Sequence, residues 1–471
     1  MKTACLVISI SLLSGCMVGP NFTPPKSETP ATWRQGKAES QTAATEISAQ
    51  WWSLFHDPLL TRLIERASQS NLDLRAASAR LLQAQAARQI ISGDSTPTVT
   101  GAASYQRARN SQKGLQDISG LDGKKAYSVW QPGVDVSWEL DMWGRVRREL
   151  ESANASVEAS AELRRDVQLS IQAETARDYI QLRSVQAQRN TTEQNLALAQ
   201  HSLKLTAVKM RDGVATRLEG AEAQAQVALI QARLPILDQQ QSRLINALSF
   251  LLGEQPGALN AELSAVKALP LTPAKVPVGL PSELTRRRPD IRAAEAKLHA
   301  ATADIGIATA DFYPRLTLSG DVGLQAMQFS QLGSWGAHYF SFGPSLTLPI
   351  FEGGRLRGQL ALRKAQQQEA ANHFQSTVLK AWHEVDDAMV DYDTYQQQRN
   401  QLKIMVDNDR LALNAAQQQY VGGATDFLNV LTVQKELLNA EKALVVSDAE
   451  VSLSIVQLYK ALGGGWTTEQ G

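Results

Sequence analysis

The side chains that build catalytic and metal sites are sparse in this chain. It has six histidines and two cysteines in 471 residues. His383-Glu384 lacks the second histidine of a zinc-protease helix, and no phosphate-binding loop or nucleophile elbow occurs. Gly463-Gly464-Gly465 follows the last predicted helix and favours a chain stop rather than a binding loop. We therefore expect neither an enzyme nor a metal site, and no cofactor apart from covalent lipid.

Cys16 is the residue whose surroundings predict a specific modification. Lys2, the apolar run over residues 4–13 and the motif Leu13-Ser14-Gly15-Cys16 are together typical of a bacterial lipoprotein leader. Cleavage before Cys16 would make it the N-acylated, S-diacylglycerol first residue. Cys5 is removed with the leader, so the mature chain has no thiol left for a disulfide. Met17 after the cysteine favours the outer membrane. The alternative is an ordinary secretory leader with a chance cysteine.

Charge and composition exclude several classes of protein. Basic and acidic residues balance at 47 each, which gives no support for a nucleic-acid partner. We interpret the one basic cluster, Arg286-Arg287-Arg288, as a solvated helix start. No stretch approaches the roughly 18 consecutive apolar residues of a membrane-spanning helix. Aromatic residues are only 6% of the chain, and Ala and Gln dominate long tracts. This favours extended helices packed through small side chains.

The elements that must position any site are repeated within the chain. Four landmarks occur twice, about 210 residues apart: residues 71–77 and 288–294, Pro97 and Pro314, residues 144–147 and 354–357, and residues 213–216 and 422–425. A constant spacing of ordered landmarks indicates a duplicated structural unit. Each unit is predicted to contain a helix, a strand hairpin and two long helices.

Proline and periodicity divide the chain into six predicted segments. They are a leader (1–15), a lipidated tether and equatorial anchor (16–57), a first repeat (58–252), a proline-rich linker (253–281), a second repeat (282–463) and a tail (464–471). Trp51 and Trp52 are expected to pin the tether to the body. Apolar periodicity predicts helices over 58–91, 144–211, 214–252, 282–311, 353–420 and 425–462. Two of them would be about 100 Å long at 1.5 Å per residue.

Four segments alternate apolar with small polar side chains: residues 97–107, 128–140, 314–324 and 339–350. Each can cover the 9 to 11 residues or so that a tilted strand needs to cross a membrane. Aromatic residues stand near their ends, as interfacial side chains would, at Tyr105, Trp130, Tyr313, Trp335 and Tyr339. The alternative is a small soluble sandwich whose apolar faces meet.

Four strands cannot close a membrane barrel, because open edges leave backbone groups unsatisfied in hydrocarbon. Two copies would give about eight strands, whose interior the side chains fill. Three copies would give twelve strands with a lumen. A homotrimer is therefore the smallest assembly that forms a duct.

Several motifs carry a resemblance to a known family. They are residues 287–296, residues 305–308 with Phe312-Tyr313-Pro314, the turn 138–145, and the ending 458–466. Together they closely resemble the outer membrane efflux lipoproteins of the NodT type, which are TolC-like, over nearly the whole chain. The resemblance implies an α+β membrane protein: a trimeric, twelve-stranded outer membrane β-barrel, four strands per chain, continuous with a long α-helical periplasmic barrel.

The same resemblance implies a partnership. A periplasmic adaptor (membrane fusion) protein and an inner membrane pump, usually of the resistance-nodulation-division class, would deliver solutes to a passive exit duct, as in antibiotic resistance. Two alternatives stay open: a duct for an ATP-driven secretion system, and a periplasmic coiled-coil scaffold lipoprotein without a pore. The transported substrates and the particular pump are not indicated.

The resemblance also places a gate where the long helices turn, at Gly213 and at Gly422-Gly423. Tyr420 matches the latch tyrosine of the family, and Glu219 matches its acidic partner. A hydrogen bond between them is expected to hold the duct closed, so Tyr420→Phe combined with Glu219→Ala should raise conductance.

The constriction residues depart from the family pattern. Relatives often carry two carboxylates one helical turn apart, but the matching positions here are Asn429 and Thr432. Asp426 is the nearest carboxylate that could replace the missing ring. Leu428 and Leu431 are candidates for a hydrophobic constriction that closes by dewetting.

Overall fold

The computed structural model describes residues 17–25, 42–43, 48–113, 121, 123–270, 276–277 and 284–464. The predicted leader and Cys16 lie outside the described residues. The strands of the main sheet are β1 (Thr98–Ala108), β2 (Tyr127–Leu140), β3 (Arg315–Leu324) and β4 (His338–Thr347). Two further strands of two residues each, Thr42–Ala43 and Val276–Pro277, pair in parallel as a separate small sheet. The helices are α1 (Pro58–Ser70), α2 (Leu72–Gly93), α3 (Arg145–Arg211), α4 (Arg217–Gln231), α5 (Leu234–Leu251), α6 (Asn260–Leu263), α7 (Leu284–Arg287), α8 (Pro289–Ala310), α9 (Arg355–Val421) and α10 (Phe427–Ala461).

The two longest predicted helices are confirmed as α3 and α9, each 67 residues without a proline. The predicted helix 214–252 is interrupted before Pro235 and forms α4 and α5. A single helix over 58–91 was wrong, because the chain breaks at Asn71. The Asn71 amide donates to the Leu251 carbonyl, and its Oδ1 accepts from the Leu74 N–H at the start of α2.

The chain divides into two compact units, and each takes segments from both repeats. We call them the sheet unit (Met1–Lys26, Arg80–Ser160 and Ala293–Phe374) and the helical unit (Ser27–Ala79, Ala161–Arg292 and Gln375–Gly471).

The sheet unit contains one antiparallel sheet in the order β1-β2-β3-β4. Its register pairs Val136 with Val99 and Leu316 with Leu346, so the alternating apolar side chains collect on one face. That face is open: Phe340 is 73% exposed and Phe342 is 80% exposed. No second sheet covers it in the described part of the chain, so these residues do not form the soluble sandwich.

The opposite face of the sheet is polar. There Gln131 donates to the Tyr339 hydroxyl, and Ser341 donates to Asp321. Strands β1 and β4 lie at the two edges, where each has only one neighbour in the sheet. β4 ends at Thr347, three residues earlier than predicted.

The helical unit has an apolar core into which the short 3-10 turn Trp51–Phe55 inserts. Trp51 is fully buried and stacks on Tyr459 of α10, with ring centroids 5.5 Å apart. Asp57 follows this turn and caps α1 by accepting from the Leu59 N–H. Its second carboxylate oxygen accepts from the Tyr179 hydroxyl of α3 at 2.6 Å. The turn and Asp57 after it are thus fixed to α10 and to α3.

One expectation about solvated residues was wrong. Arg288 is not a solvated helix start, because its side chain is only 9% exposed and pairs with Asp290 and Glu384. Its guanidinium also donates to the Ala461 carbonyl, which closes the C-terminal end of α10. The described residues 17–25 form neither helix nor strand, and the Val18 N–H attaches them to the body by donating to the Trp143 carbonyl.

Candidate functional site

The candidate site lies in the helical unit, where α3 turns into α4 and α9 turns into α10. Gly213 and Gly423 adopt positive φ values of 72° and 76°, which only glycine adopts without strain. Just beyond each glycine, an N–H bonds back to the helix: Val214 to the Lys209 carbonyl and Ala424 to the Gln419 carbonyl. Gly422 has ordinary backbone angles, so the turn does not require a glycine there.

Tyr420 stands one residue before the end of α9, and its side chain is almost fully buried. Its ring packs against Phe427 of α10, with centroids 5.5 Å apart. Burial raises the pKa of the phenol, and the nearby charge of Glu219 raises it further. The hydroxyl therefore stays protonated at neutral pH. The neighbouring Thr206 hydroxyl offsets part of this rise in the pKa, although no well-aligned hydrogen bond to the phenol forms within the described residues.

The predicted hydrogen bond between Tyr420 and Glu219 is not formed in this structure. Glu219 is instead part of a capping box at the start of α4: its carboxylate accepts from the Thr216 N–H at 2.6 Å, and the Thr216 hydroxyl accepts from the Glu219 N–H at 3.2 Å. The N–H and the hydroxyl of Thr216 both donate to the Glu219 carboxylate. Because they are only three residues away, they bind this carboxylate in preference to the Tyr420 phenol on another helix.

Lys209 supplies the link that the sequence interpretation missed. Its ammonium lies 3.7 Å from the centroid of the Tyr420 ring. It also donates to the backbone carbonyl of Tyr420, at the C-terminal end of α9. A cation is favoured in both positions, by the quadrupole of the ring and by the negative end of the helix dipole. One side chain of α3 therefore holds the end of α9 in two ways.

A signal for Lys209 was present in the sequence. It stands one helical turn before Gly213, in the last turn of α3, where basic side chains stabilise carbonyl groups. The sequence does not show that the carbonyl belongs to another helix, 211 residues away.

The predicted constriction residues divide into buried and exposed positions. Leu431 is 5% exposed and packs in the cluster that holds Tyr420, so it does not line a pore, which corrects that expectation. Leu428 is 54% exposed, and Asn429 and Thr432 lie on the exposed side of α10 with it. Asp426 caps α10 by accepting from the Asn429 N–H. Of the exposed residues at the start of α10 named here, only Asp426 carries a charge.

Polar side chains are buried near these turns. Asn195 of α3 donates to Glu441 of α10 at 2.9 Å, and Arg410 of α9 donates to the same carboxylate. Gln226 of α4 and Gln434 of α10 are buried, and neither amide has a partner among the described residues. Buried amides without partners cost free energy that hydration would return. Packing in this region is therefore less favourable than in an all-apolar core.

The described residues contain no cluster of His, Cys, Asp or Glu that could hold a metal ion. Over the same residues, no helix is both long and apolar enough to cross a membrane.

Comparison with known proteins gives consistent matches over almost the full length. The sequence profile described as "Outer membrane efflux protein" matches residues 63–254 and 280–464. The solvent efflux pump outer membrane protein SrpC of Pseudomonas putida is 32% identical over 472 residues, covering 98% of each chain.

Two solved structures extend the similarity to the fold. The outer-membrane channel OprN is 36% identical with a TM-score of 0.90, covering 96% of this chain and 100% of the other. The open state of the MtrE outer membrane channel of Neisseria gonorrhoeae is 29% identical with a TM-score of 0.80, covering 96% and 98%.

Proposed function

Since the chain belongs to the outer membrane efflux protein family, whose members are transporters rather than enzymes, we propose that it is the passive exit duct of a tripartite efflux system. The observation that carries this proposal is the four-stranded sheet, with one apolar face exposed and two unpaired edges. In hydrocarbon such a sheet must be closed by other copies of itself. Three copies give a twelve-stranded barrel with a polar interior.

The work of transport belongs to the partners. A periplasmic adaptor and an inner membrane pump, which we assign to the resistance-nodulation-division class, deliver the solute and supply the energy. The relatives' names include solvent, toluene and antibiotic efflux. We therefore assign small toxic solutes, including drugs and apolar organic compounds, as the cargo. An exit duct of this kind needs no specific binding site along its wall.

The trimer is the decisive test of this function. Protein extracted from outer membranes in detergent should run as a heat-modifiable trimer and should conduct ions after reconstitution. Deleting the gene should increase susceptibility to dyes, drugs and solvents. A stable monomer without ion current would rule out the duct and favour a scaffold lipoprotein. A current without any change in susceptibility, together with loss of a secreted protein, would favour a duct for ATP-driven secretion.

The lipid anchor is the second part of the proposal. The motif ending in Cys16 supports acylation of that residue, and Met17 supports delivery to the outer membrane, so the mature protein is lipid-anchored there and extends into the periplasm. Labelled palmitate should enter the wild-type chain and the Cys5→Ser control. It should not enter Cys16→Ser. Labelling of Cys16→Ser would show that the modification lies elsewhere.

The gate is the third part. We assign the closed state to Lys209, which links the end of α9 to α3, instead of to a hydrogen bond between Tyr420 and Glu219. Support comes from the two contacts of its ammonium and from the capping role of Glu219. The buried amides of Gln226 and Gln434 favour separation of the helices once water enters. The exposed side chains left to line the constriction are those of Asp426, Leu428, Asn429 and Thr432.

A further inference from the structure

The first described residues, 17–25, are held in the sheet unit by hydrogen bonds from a buried arginine. Arg148 of α3 is completely buried beneath them. Its guanidinium donates to the carbonyl of Val18 at 3.2 Å and to the Asn21 side chain at 2.7 Å. On its other side it pairs with Glu151 at 2.7 Å. A buried guanidinium whose donors reach one short segment fixes the course of that segment.

Two glycines let the segment approach the body closely. Gly19 has a φ of 87°, and a Cβ built on it would lie 2.5 Å from the Cα of Gly306 in α8. A Cβ on Gly306 would in turn lie 2.7 Å from the Arg148 side chain. Gly19 therefore has no room for a side chain, and a side chain at Gly306 would displace that of Arg148. We call Gly19, Arg148 and Gly306 the N-terminal socket.

An aromatic stack holds one end of the segment, and a backbone hydrogen bond holds the other. The Phe22 ring stacks on His299 with centroids 4.4 Å apart, and His299 bonds Glu151 at 3.0 Å. At the other end, the Val18 N–H donates to the Trp143 carbonyl. Trp143 stands at the base of strand β2 and packs against Tyr313 at the base of β3, with centroids 4.7 Å apart. Paired aromatic rings at the ends of membrane strands mark the level of the lipid headgroups.

The spacing between the socket and Cys16 is very short. Val18 lies two residues after Cys16, which limits their separation to about 7 Å. On the basis of the proposed acylation, we propose that the N-terminal socket holds the lipid anchor close to the ends of β2 and β3 at Trp143 and Tyr313. The acyl chains and the strands then enter the same region of the bilayer together. The partner of this site is the periplasmic leaflet of the outer membrane, reached through the chain's own acylated N terminus.

The proposed benefit is kinetic. With the socket occupied, the link from lipid to body is two residues long. Without it, the next attachment in the described chain is the pairing of Thr42–Ala43 with Val276–Pro277, about 26 residues after Cys16. Effective concentration falls with roughly the −3/2 power of linker length, so the strands lose on the order of tenfold or more in local concentration at the membrane.

The test follows trimer formation by the full-length acylated protein. Unfolded protein is diluted into vesicles of outer membrane lipid, and the heat-modifiable trimer is measured over time. Gly19→Val and, from the other side of the contact, Arg148→Ala should slow trimer formation on the order of tenfold. Hydrogen exchange at residues 18–22 should accelerate in both. The matched controls are Thr23→Val, an exposed position in the same segment, and Arg147→Ala, which neighbours Arg148 but pairs with Asp141.

A spacer variant tests whether the short distance between the lipid and the socket matters, as distinct from occupation of the socket by residues 17–25. Inserting a flexible Gly/Ser linker of about 30 residues between Cys16 and Met17 leaves the socket occupied but should slow trimer formation as much as Gly19→Val does. Palmitate incorporation is measured in every variant. Absence of the label from the wild type would overturn the acylation itself. Normal labelling with unchanged rates in Gly19→Val and in the spacer variant would overturn only the proposal about the socket.

Discussion

Replacing Lys209 with methionine is expected to raise the open fraction of the reconstituted trimer between about 5-fold and 150-fold, because it removes about 1 to 3 kcal/mol of coupling between two helix pairs. The ammonium contributes about 0.5 to 2 kcal/mol through the Tyr420 ring. Its interaction with the end of α9 contributes about 0.3 to 1 kcal/mol more. Methionine keeps an apolar stem against the ring and removes the charge together with the N–H donors. Single-channel recording in planar bilayers at neutral pH measures the change.

The matched control is Lys204→Met, five residues earlier on the same helix, where the side chain is exposed. It removes an identical charge and should leave conductance unchanged. Tyr420→Phe should also have a small effect, since the ring that receives the ammonium remains. If Tyr420→Phe combined with Glu219→Ala opens the duct while Lys209→Met does not, the hydrogen-bonded latch holds the gate and the lysine link is wrong.

Replacing Trp51 with alanine is expected to destabilise the helical unit by about 3 to 5 kcal/mol, the usual cost of deleting a large aromatic side chain from a core. Trp51 is completely buried, and its contacts with Trp52, Phe55 and Tyr459 would all be lost. The cavity would also free the turn that positions Asp57 beneath the Tyr179 hydroxyl.

Loss of helical circular dichroism in urea provides the measurement. The midpoint should move to clearly lower urea for Trp51→Ala. Trp335→Ala, which removes the same side chain from a position 87% exposed, should leave it unchanged. Equal midpoints for Trp51→Ala and the wild type would mean that the anchor turn contributes little to this unit.

Interactions between residues close in sequence account for the features that were predicted correctly. Helices α3 and α9 follow from long runs without proline, and the strands follow from alternation that must place apolar side chains on one face. Gly213 and Gly423 were identified because a tight helix reversal needs positive φ. Each of these features is set by residues within a few positions of one another. Sequence alone suffices where the determining interactions are that short in range.

Contacts between distant segments account for what was missed or wrong. Asn71 breaks a predicted helix because its amide finds the Leu251 carbonyl, 180 residues away. Arg288 appeared solvated in the sequence but is buried between Asp290 and Glu384. Leu431 appeared to face a pore but packs beside Tyr420. The pairing of Tyr420 with Lys209 also depends on the packed arrangement. The capping of Thr216 by Glu219 is local instead, and its spacing of three residues was a signal in the sequence that was missed.

The sequence by itself determined the duplicated plan, the long helices, the four alternating strands, the glycine turns and the family to which the chain belongs. Only the tertiary structure decided which side chain links the two turns, where residues 17–25 dock, and which leucine near the gate remains exposed. The physical reason is that periodicity and backbone conformation are properties of neighbouring residues. The groups that a cation, an amide or a glycine contacts often come from distant parts of the sequence. Only the folded chain brings those groups within a few ångströms of one another.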